Sequence, residues 1–307
     1  MSIIVDSGRY GYADIGIPPS SALDDFSFKT LNHLLGNPQG NPAIEVIGSS
    51  FSLKSGIDTT CAITGAKVKA SVDDRNVTSW KPFPLKAGST LKVKSITEGF
   101  RYYIGFCGMM DIEKTINSYT LNLECAFGGH FGRPLRKSDR ISLLDSRIAD
   151  MGALPDKYIP NLNPPHILRI VEGPEKDSFS AESLQRLFEK RGFSWYIVSS
   201  KSNRTGIRLD GEPLKFKNNV DKSIISEGVL PGTIQVPGDG LPIIMLHERT
   251  IGGYSRIGIV ARADRDLLAH LKPSDRVAFK LIGADEAEEI WKTKLQNYAN
   301  MLGHITE

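Results

Sequence analysis

Three stretches in the second half of the chain carry residue types able to hold and activate a small polar molecule. The first is Ser202-Asn203-Arg204-Thr205-Gly206-Ile207-Arg208-Leu209-Asp210-Gly211, with two arginines four apart beside glycines. Side chains of an extended segment alternate with period two, so both guanidinium groups are expected on one face. There they suit a carboxylate or phosphate, or else pair with Asp210 and Glu212. The second is His247-Glu248-Arg249-Thr250-Ile251-Gly252-Gly253-Tyr254-Ser255, read as a strand running into a Gly252-Gly253 turn. Glycines let backbone N–H groups approach a ligand, and successive N–H groups form an anion nest. Thr250 and Tyr254 supply hydroxyls at the edges, and His247 offers an imidazole suited to general-base work near neutral pH; an ordinary hairpin turn with a satisfied histidine has the same pattern. The third pairs Ser226-Glu227-Gly228 with Gln235-Val236-Pro237. A Glu beside a turn and a Gln within an apolar strand need polar partners if buried, and an amide or lactam is a natural one. In the first half, Arg9, Asp24 and Arg133 sit at turn edges, compatible with helix caps and with a site.

Other chemistry is excluded by what is missing. There is no Walker-type phosphate loop, no G-x-S-x-G nucleophile elbow and no H-E-x-x-H, since His247-Glu248 is followed by Arg249-Thr250-Ile251. No Met-Lys-Met tripeptide marks a biotin carrier. The charge, 38 basic against 35 acidic residues, is too balanced for a nucleic-acid or anionic-membrane binder. No apolar run approaches the roughly 18 residues of a membrane span, and the start of the chain lacks a secretory pattern. Cys61, Cys107 and Cys125 are scattered, which predicts buried apolar thiols, no disulfide framework, no metal site and a reducing cytoplasmic setting.

The elements that must carry these residues are mostly strands. Short β-branched or aromatic runs occur at 61–65, 67–72, 101–106, 167–171, 195–198 and 277–282. Thr233–Val236 and Ile243–Leu246 flank Pro237-Gly238-Asp239-Gly240, a tight-turn signature. Helices are few: one capped by Asp24 and closed by Gly36-Asn37, one over 180–191 stopped by Gly192, one over 264–271, and an amphipathic one over 284–302 expected to dock on a sheet. The prolines at 155, 160, 164 and 165 mark an extended linker over 151–166 between domains 1–150 and 167–307.

In this order and spacing the segments resemble the family of the 5-oxoprolinase C-subunit, also called allophanate hydrolase subunit 2 or the Kip-type antagonist of a kinase inhibitor. The chain is also similar to one half of the carboxyltransferase part of urea amidolyase. The residues carrying the likeness in the first half are Gly8-Arg9-x-Gly11, Gly16-x-Pro18, Ala22-x-Asp24, Asn32 with Gly36-Asn37, Glu45, Ile63-Thr64-Gly65-Ala66 and Gly128-Gly129-x-x-Gly132-Arg133. They continue through Gly173-Pro174 with Asp177, Arg204-x-Gly206-x-Arg208-Leu209-x-Gly211, Ser226-Glu227-Gly228, Gly232-x-Ile234-Gln235-Val236-Pro237 and Thr250-x-Gly252-Gly253-Tyr254.

The resemblance implies a mainly β protein of two cyclophilin-like β-barrels with a few short helices. It implies work with B-type and A-type 5-oxoprolinase partner chains as an ATP-dependent 5-oxoprolinase, by phosphorylation of the lactam oxygen and attack by water. Two other readings are carboxyl transfer from a separate biotin carrier to urea or a related amide, and a regulatory role on a kinase-inhibitor-like partner. The expected catalytic set is His247, Glu227 and Thr250, and the expected binding set is Arg204, Arg208, Gln235, Gly252, Gly253, Tyr254, Arg9 and Asp24. The chain departs from the family pattern at Ser20-Ser21-Ala22-Leu23-Asp24, Met109-Met110-Asp111, Thr205, His247 and Ile251.

Overall fold

The computed structural model describes residues 1–148, 152–188 and 193–305. The chain forms two compact units, one of Met1–Arg9, Ser20–Leu162 and Gln296–Glu307, the other of Tyr10–Pro19 and Asn163–Leu295. They are therefore not the consecutive halves that the sequence suggested. Met301 and Ile305 are buried in a small core with Leu34, Trp80 and Leu154, so apolar burial places the end of the chain in the first unit. Nor is the proline-bearing segment a bare linker. Leu154 is buried and donates its N–H to Trp80 O at 2.9 Å, and Leu162 N–H reaches Glu98 Oε1 at 2.8 Å. The ends of the expected domains and linker near residue 150 lie outside the described residues.

The first unit holds β1 (Ser2–Val5), α1 (Asp25–Leu34), β2 (Ala43–Ile47), β3 (Phe51–Lys54), β4 (Thr59–Val72), β5 (Arg75–Val77), β6 (Phe83–Leu85), β7 (Thr90–Phe106), β8 (Met109–Met110) and β9 (Leu143–Leu144). Its main sheet runs β1-β2-β7-β4-β5, with β3 on β7 and β6 on β4. The two short runs expected at 61–65 and 67–72 are one strand, β4, whose ladder with β7 shifts register at Gly65. Gly65 has φ +87°, and a Cβ there would lie 2.7 Å from Arg101 O, so a side chain is excluded at this bulge. Both faces of β7 are covered. Tyr102 and Ile104 enter one core, and Tyr103 enters the other with Phe28, Leu31 and Leu35 of α1. Helix α1 starts at Asp24, whose Oδ1 accepts the Ser27 N–H at 2.8 Å, as the sequence indicated.

The second unit contains β10 (His166–Glu172), α2 (Ala181–Leu187), β11 (Tyr196–Val198), β12 (Gly206–Asp210), β13 (Ser223–Gly228), β14 (Thr233–Val236), β15 (Ile243–Met245), β16 (Ile251–Val260), α3 (Arg265–Leu268), β17 (Arg276–Leu281) and the start of α4 (Ala284–Ile305). Strands β10-β17-β11-β12-β15-β14-β16 form a ring that the β10–β16 pairing closes, and β13 adds to β16 outside it. The interior row is apolar: Ile207 opposes Ile244, and Ile244 opposes Ile234. The expected turn between β14 and β15 is present, with Gly240 N–H on Pro237 O at 2.9 Å and Gly240 at φ +80°. Ser180 caps α2; Gly192, its expected stop, lies outside the described residues. The expected helix 264–271 shortens to α3, preceded by a single 3₁₀ turn. Much of α4 faces solvent: Leu295 is exposed, and Trp291 packs its ring under the Arg262 guanidinium at 4.4 Å. No described helix is long and apolar enough to cross a membrane. Cys61 and Cys107 are buried as expected, but Cys125 is exposed because it follows the Asn122-capped turn at the surface.

His166, buried at the start of β10, has Nε2 3.5 Å from Asp275 Oδ2. Burial is the main reason its pKa falls below the ordinary 6.5; Asp275 opposes the shift, while Lys272 and His270 assist it. A depressed histidine leaves the unfolded chain binding more protons just below pH 6.5. Stability is thus full above that pH and declines as pH falls through it. The melting temperature of wild type is expected to fall between pH 7 and 5.5, with a shallower fall in His166→Gln; parallel curves would dissociate His166 from the effect.

Candidate functional site

The candidate site is built on the outer face of the second unit's barrel. Directly opposed residues of paired strands project to the same face. Arg208 on β12 opposes Ile243 on β15, Ile243 opposes Gln235 on β14, and Gln235 opposes Arg256 on β16. These four form one row across four strands, spaced by about 4.8 Å per step. Gly252 and Tyr254 lie on the same face of β16 as Arg256 by the period of two. The contact at Gly252 confirms it: a Cβ there would fall 2.2 Å from Gln235 Nε2. Gln235 is buried because its carboxamide lies flat on the bare backbone of Gly252, and its Nε2 donates to Tyr254 O at 3.4 Å. With Nε2 directed at that carbonyl, Oε1 is the atom left to accept a ligand N–H.

The sequence expected Gly252-Gly253 to be a turn and an anion nest. Both lie within β16, paired with β13 through Gly252↔Glu227, and neither has a positive φ. Extended backbone alternates its N–H groups between the two sides, so no nest forms. The value of Gly252 is the space it leaves for Gln235, and Gly253 lets Ser226 Oγ approach to 3.2 Å of where its Cβ would be.

The twin arginines also separate. Arg204 precedes β12, in a turn where Asn203 Oδ1 accepts the N–H groups of Thr205 and Gly206, so period-two alternation does not apply to it. It points inward and pairs Nε with Glu248 Oε1 at 3.2 Å, both side chains being at most 2% exposed. Glu248 stands on the turn after β15, aligned by the Leu246 N–H bond to Thr205 O. Arg208 remains on the outer row, exposed to solvent, with no ion pair among the described residues. Glu212, offered as a surface partner, is bound by Arg186 instead.

Glu227 is not left as a free base. Its Oε2 lies 2.7 Å from Arg256 Nη2, while Glu175 grips the same guanidinium through Nε at 2.8 Å and Nη2 at 2.6 Å. The Arg256 hydrogen bond is the main reason that the Glu175 carboxyl titrates below its ordinary 4.5. His247 and Thr250 lie in the β15–β16 connection, off the row; Thr250 O accepts the Val229 N–H. Arg9 and Asp24 belong to the first unit. Asp24 caps α1 and its N–H donates to Tyr103 Oη, while Arg9 is buried, donating to Thr120 O with its guanidinium 4.7 Å from the Phe127 ring centre. Arg133 forms a two-pronged pair with Asp139 at 2.7 and 2.8 Å. Sequence reasoning missed Glu248, Glu175 and Arg256; only the period-two spacing of Gly252, Tyr254 and Arg256 pointed to the last.

Comparison with known proteins shows the family of the chain. A model described as the carboxyltransferase domain, subdomain A and B, matches residues 15–281. The chain belongs to the carboxyltransferase domain family. It is 33% identical over 286 residues to the 5-oxoprolinase C-subunit of Escherichia coli, covering 92% of this chain and 89% of that one. It is 31% identical to Saccharomyces cerevisiae urea amidolyase, covering 89% of this chain but 16% of the relative. Among solved structures it superposes on Kluyveromyces lactis urea carboxylase with a TM-score of 0.88 at 25% identity, covering 98% of this chain and 28% of that one. In this carboxyltransferase-family chain the second unit thus presents an uncommitted arginine, a buried amide and a glycine floor on one face.

Glu248→Gln is expected to cost about 3–5 kcal/mol, because it removes the carboxylate that faces the buried Arg204 charge. Urea denaturation measures this; a loss below about 1 kcal/mol would mean that Arg204 re-solvates. Asp24→Ala is expected to cost about 0.5–2 kcal/mol through the lost cap.

Proposed function

We propose that this chain is one component of an ATP-dependent 5-oxoprolinase, opening the 5-oxoproline lactam to glutamate together with A-type and B-type partner chains. The observation that carries the reading is the near full-length likeness to the 5-oxoprolinase C-subunit, 89% of which is covered. The site's chemistry supports it. 5-Oxoproline offers a carboxylate and a lactam N–H and C=O within one small ring. Arg208 is the uncommitted cation for the carboxylate, Gln235 Oε1 accepts the lactam N–H, and Gly252 keeps the floor flat. Tyr254, exposed beside them, and Thr250, just before β16, offer hydroxyls, and His247 on the adjoining turn is the proposed base for water. Arg204 and Glu248 act from below by fixing the turn that leads into β12.

ATP supplies an activated lactam oxygen when bound. The outer row fits one anionic group at Arg208 but provides no backbone cradle for a triphosphate, because Gly252 and Gly253 are extended. Nucleotide binding is therefore proposed for the assembled complex, on or between its chains, in the cytoplasm. A second reading, carboxyl transfer from a separate biotin carrier to urea or a related amide, draws on the urea amidolyase and urea carboxylase likenesses; this chain covers 16% and 28% of those proteins.

Phosphate release from ATP by the complex co-purified with its partners is expected to rise on adding 5-oxoproline, with glutamate appearing in step. Inhibition of that complex by avidin would favour the carboxyl-transfer reading, and partner binding without turnover of any lactam or amide would leave a regulatory role. Arg208→Ala is expected to raise KM for 5-oxoproline about tenfold to a hundredfold with little change in kcat, from the loss of one charge-assisted hydrogen bond. An unchanged KM would remove Arg208 from the site.

A further inference from the structure

Arg256 stands in the same row as Arg208 and Gln235, yet its guanidinium edges are unequally used. The side-on edge is taken by Glu175, with bonds of 2.8 and 2.6 Å and a further bond from the Arg256 N–H to Glu175 Oε2 at 2.9 Å. The end-on edge is taken poorly. Glu227 contacts only Nη2, at 2.7 Å, and Nη1 has only a long 3.4 Å bond to Gly228 O. The Glu227 side chain is 58% exposed, against 19% for Glu175. It extends from β13, an outer strand that among the described residues pairs with β16 alone. An exposed single-pronged pair contributes little, because its carboxylate is nearly as well served by water. A ligand carboxylate or phosphoryl group bridging Nη1 and Nη2 would make the two-pronged contact that Glu227 does not.

We propose that Arg256 is a second anion-binding residue of this face and that Glu227 is a built-in carboxylate which an anionic ligand displaces from its end-on edge. Glu175 keeps the guanidinium in place while Glu227 swings to solvent, so the exchange needs no movement of β16. Arg256 then offers a two-pronged anion contact at the β16 end of the row, while Arg208 stands at its β12 end. That the anion is the 5-oxoproline carboxylate rests on the function proposed above; the exchange itself needs only a carboxylate or a phosphoryl group.

The test is calorimetric titration of the full chain and of its Glu227→Gln, Glu227→Ala and Arg256→Lys variants with 5-oxoproline, with 2-pyrrolidone, which lacks the carboxylate, and with inorganic phosphate. Removing the competing carboxylate is expected to tighten 5-oxoproline about two- to fivefold in both Glu227 variants and to leave 2-pyrrolidone unchanged. Arg256→Lys, which keeps charge but loses the fork, is expected to weaken 5-oxoproline about tenfold. A gain seen with phosphate alone supports the exchange, assigns it to a phosphoryl group and removes the 5-oxoproline carboxylate from this edge. Equal 5-oxoproline affinity in wild type and both Glu227 variants overturns the exchange while the lactam reading stands. A gain shared by 2-pyrrolidone, or no binding of any probe, also overturns it.

Discussion

Gly173 and Gly258 leave no room for side chains where β10 meets β16, and the second unit's barrel depends on that seam. A Cβ on Gly173 would lie 2.3 Å from Arg256 O, and one on Gly258 would lie 2.9 Å from Val171 O. With the seam closed, β16 serves three partners along its length: β13 at its start, β14 in its middle and β10 at its end. The middle pairing shifts register between Ile234 and Gln235, so Ile234 faces Gly258 while Gln235 faces Arg256. That one-residue shift brings Gln235 into line with Arg256 and over Gly252. The chemistry of the face follows from a backbone approach that only glycine permits.

The arginines of this region have three different fates, set by what each is packed against. Arg204 is enclosed with Glu248, and its charge serves the turn rather than a ligand. Arg256 is held by two carboxylates of unequal exposure. Arg208 projects into solvent from the middle of a strand. A cation in water or on an exposed partner is available to an anion, whereas a buried, neutralised one is not, because removing its partner strands a charge in low dielectric. Arg9, in the first unit, is enclosed by the Thr120 carbonyl and the Phe127 ring.

Much of the fold was legible in local sequence. The alternating runs became strands, the Pro237–Gly240 turn joined β14 to β15, and Asp24 capped its helix. These features depend on neighbours within a few residues, which the chain displays directly. The division into units was less legible. Residues 10–19 and 296–307 join units distant in sequence, and the satellite core around Met301 and Ile305 is a match of apolar surfaces that no local pattern records.

The site was half legible for the same reason. Residue types alone nominated Arg208, Gln235, Gly252 and Tyr254, because a cation, an amide and a glycine in strand-like surroundings need explanation wherever they fall. Their placement in one row is a matter of register across β12, β15, β14 and β16, and register is a long-range property fixed when the barrel closes. Gly252-Gly253 reads as a turn from composition; pairing with β13 makes it strand. Arg204 reads as the twin of Arg208; the turn before β12 sends it inward to Glu248. The sequence by itself determined which groups are present and the local elements that carry them. Only the tertiary structure decided which groups face one another and which charges are spent internally, since both depend on contacts between residues far apart in the chain.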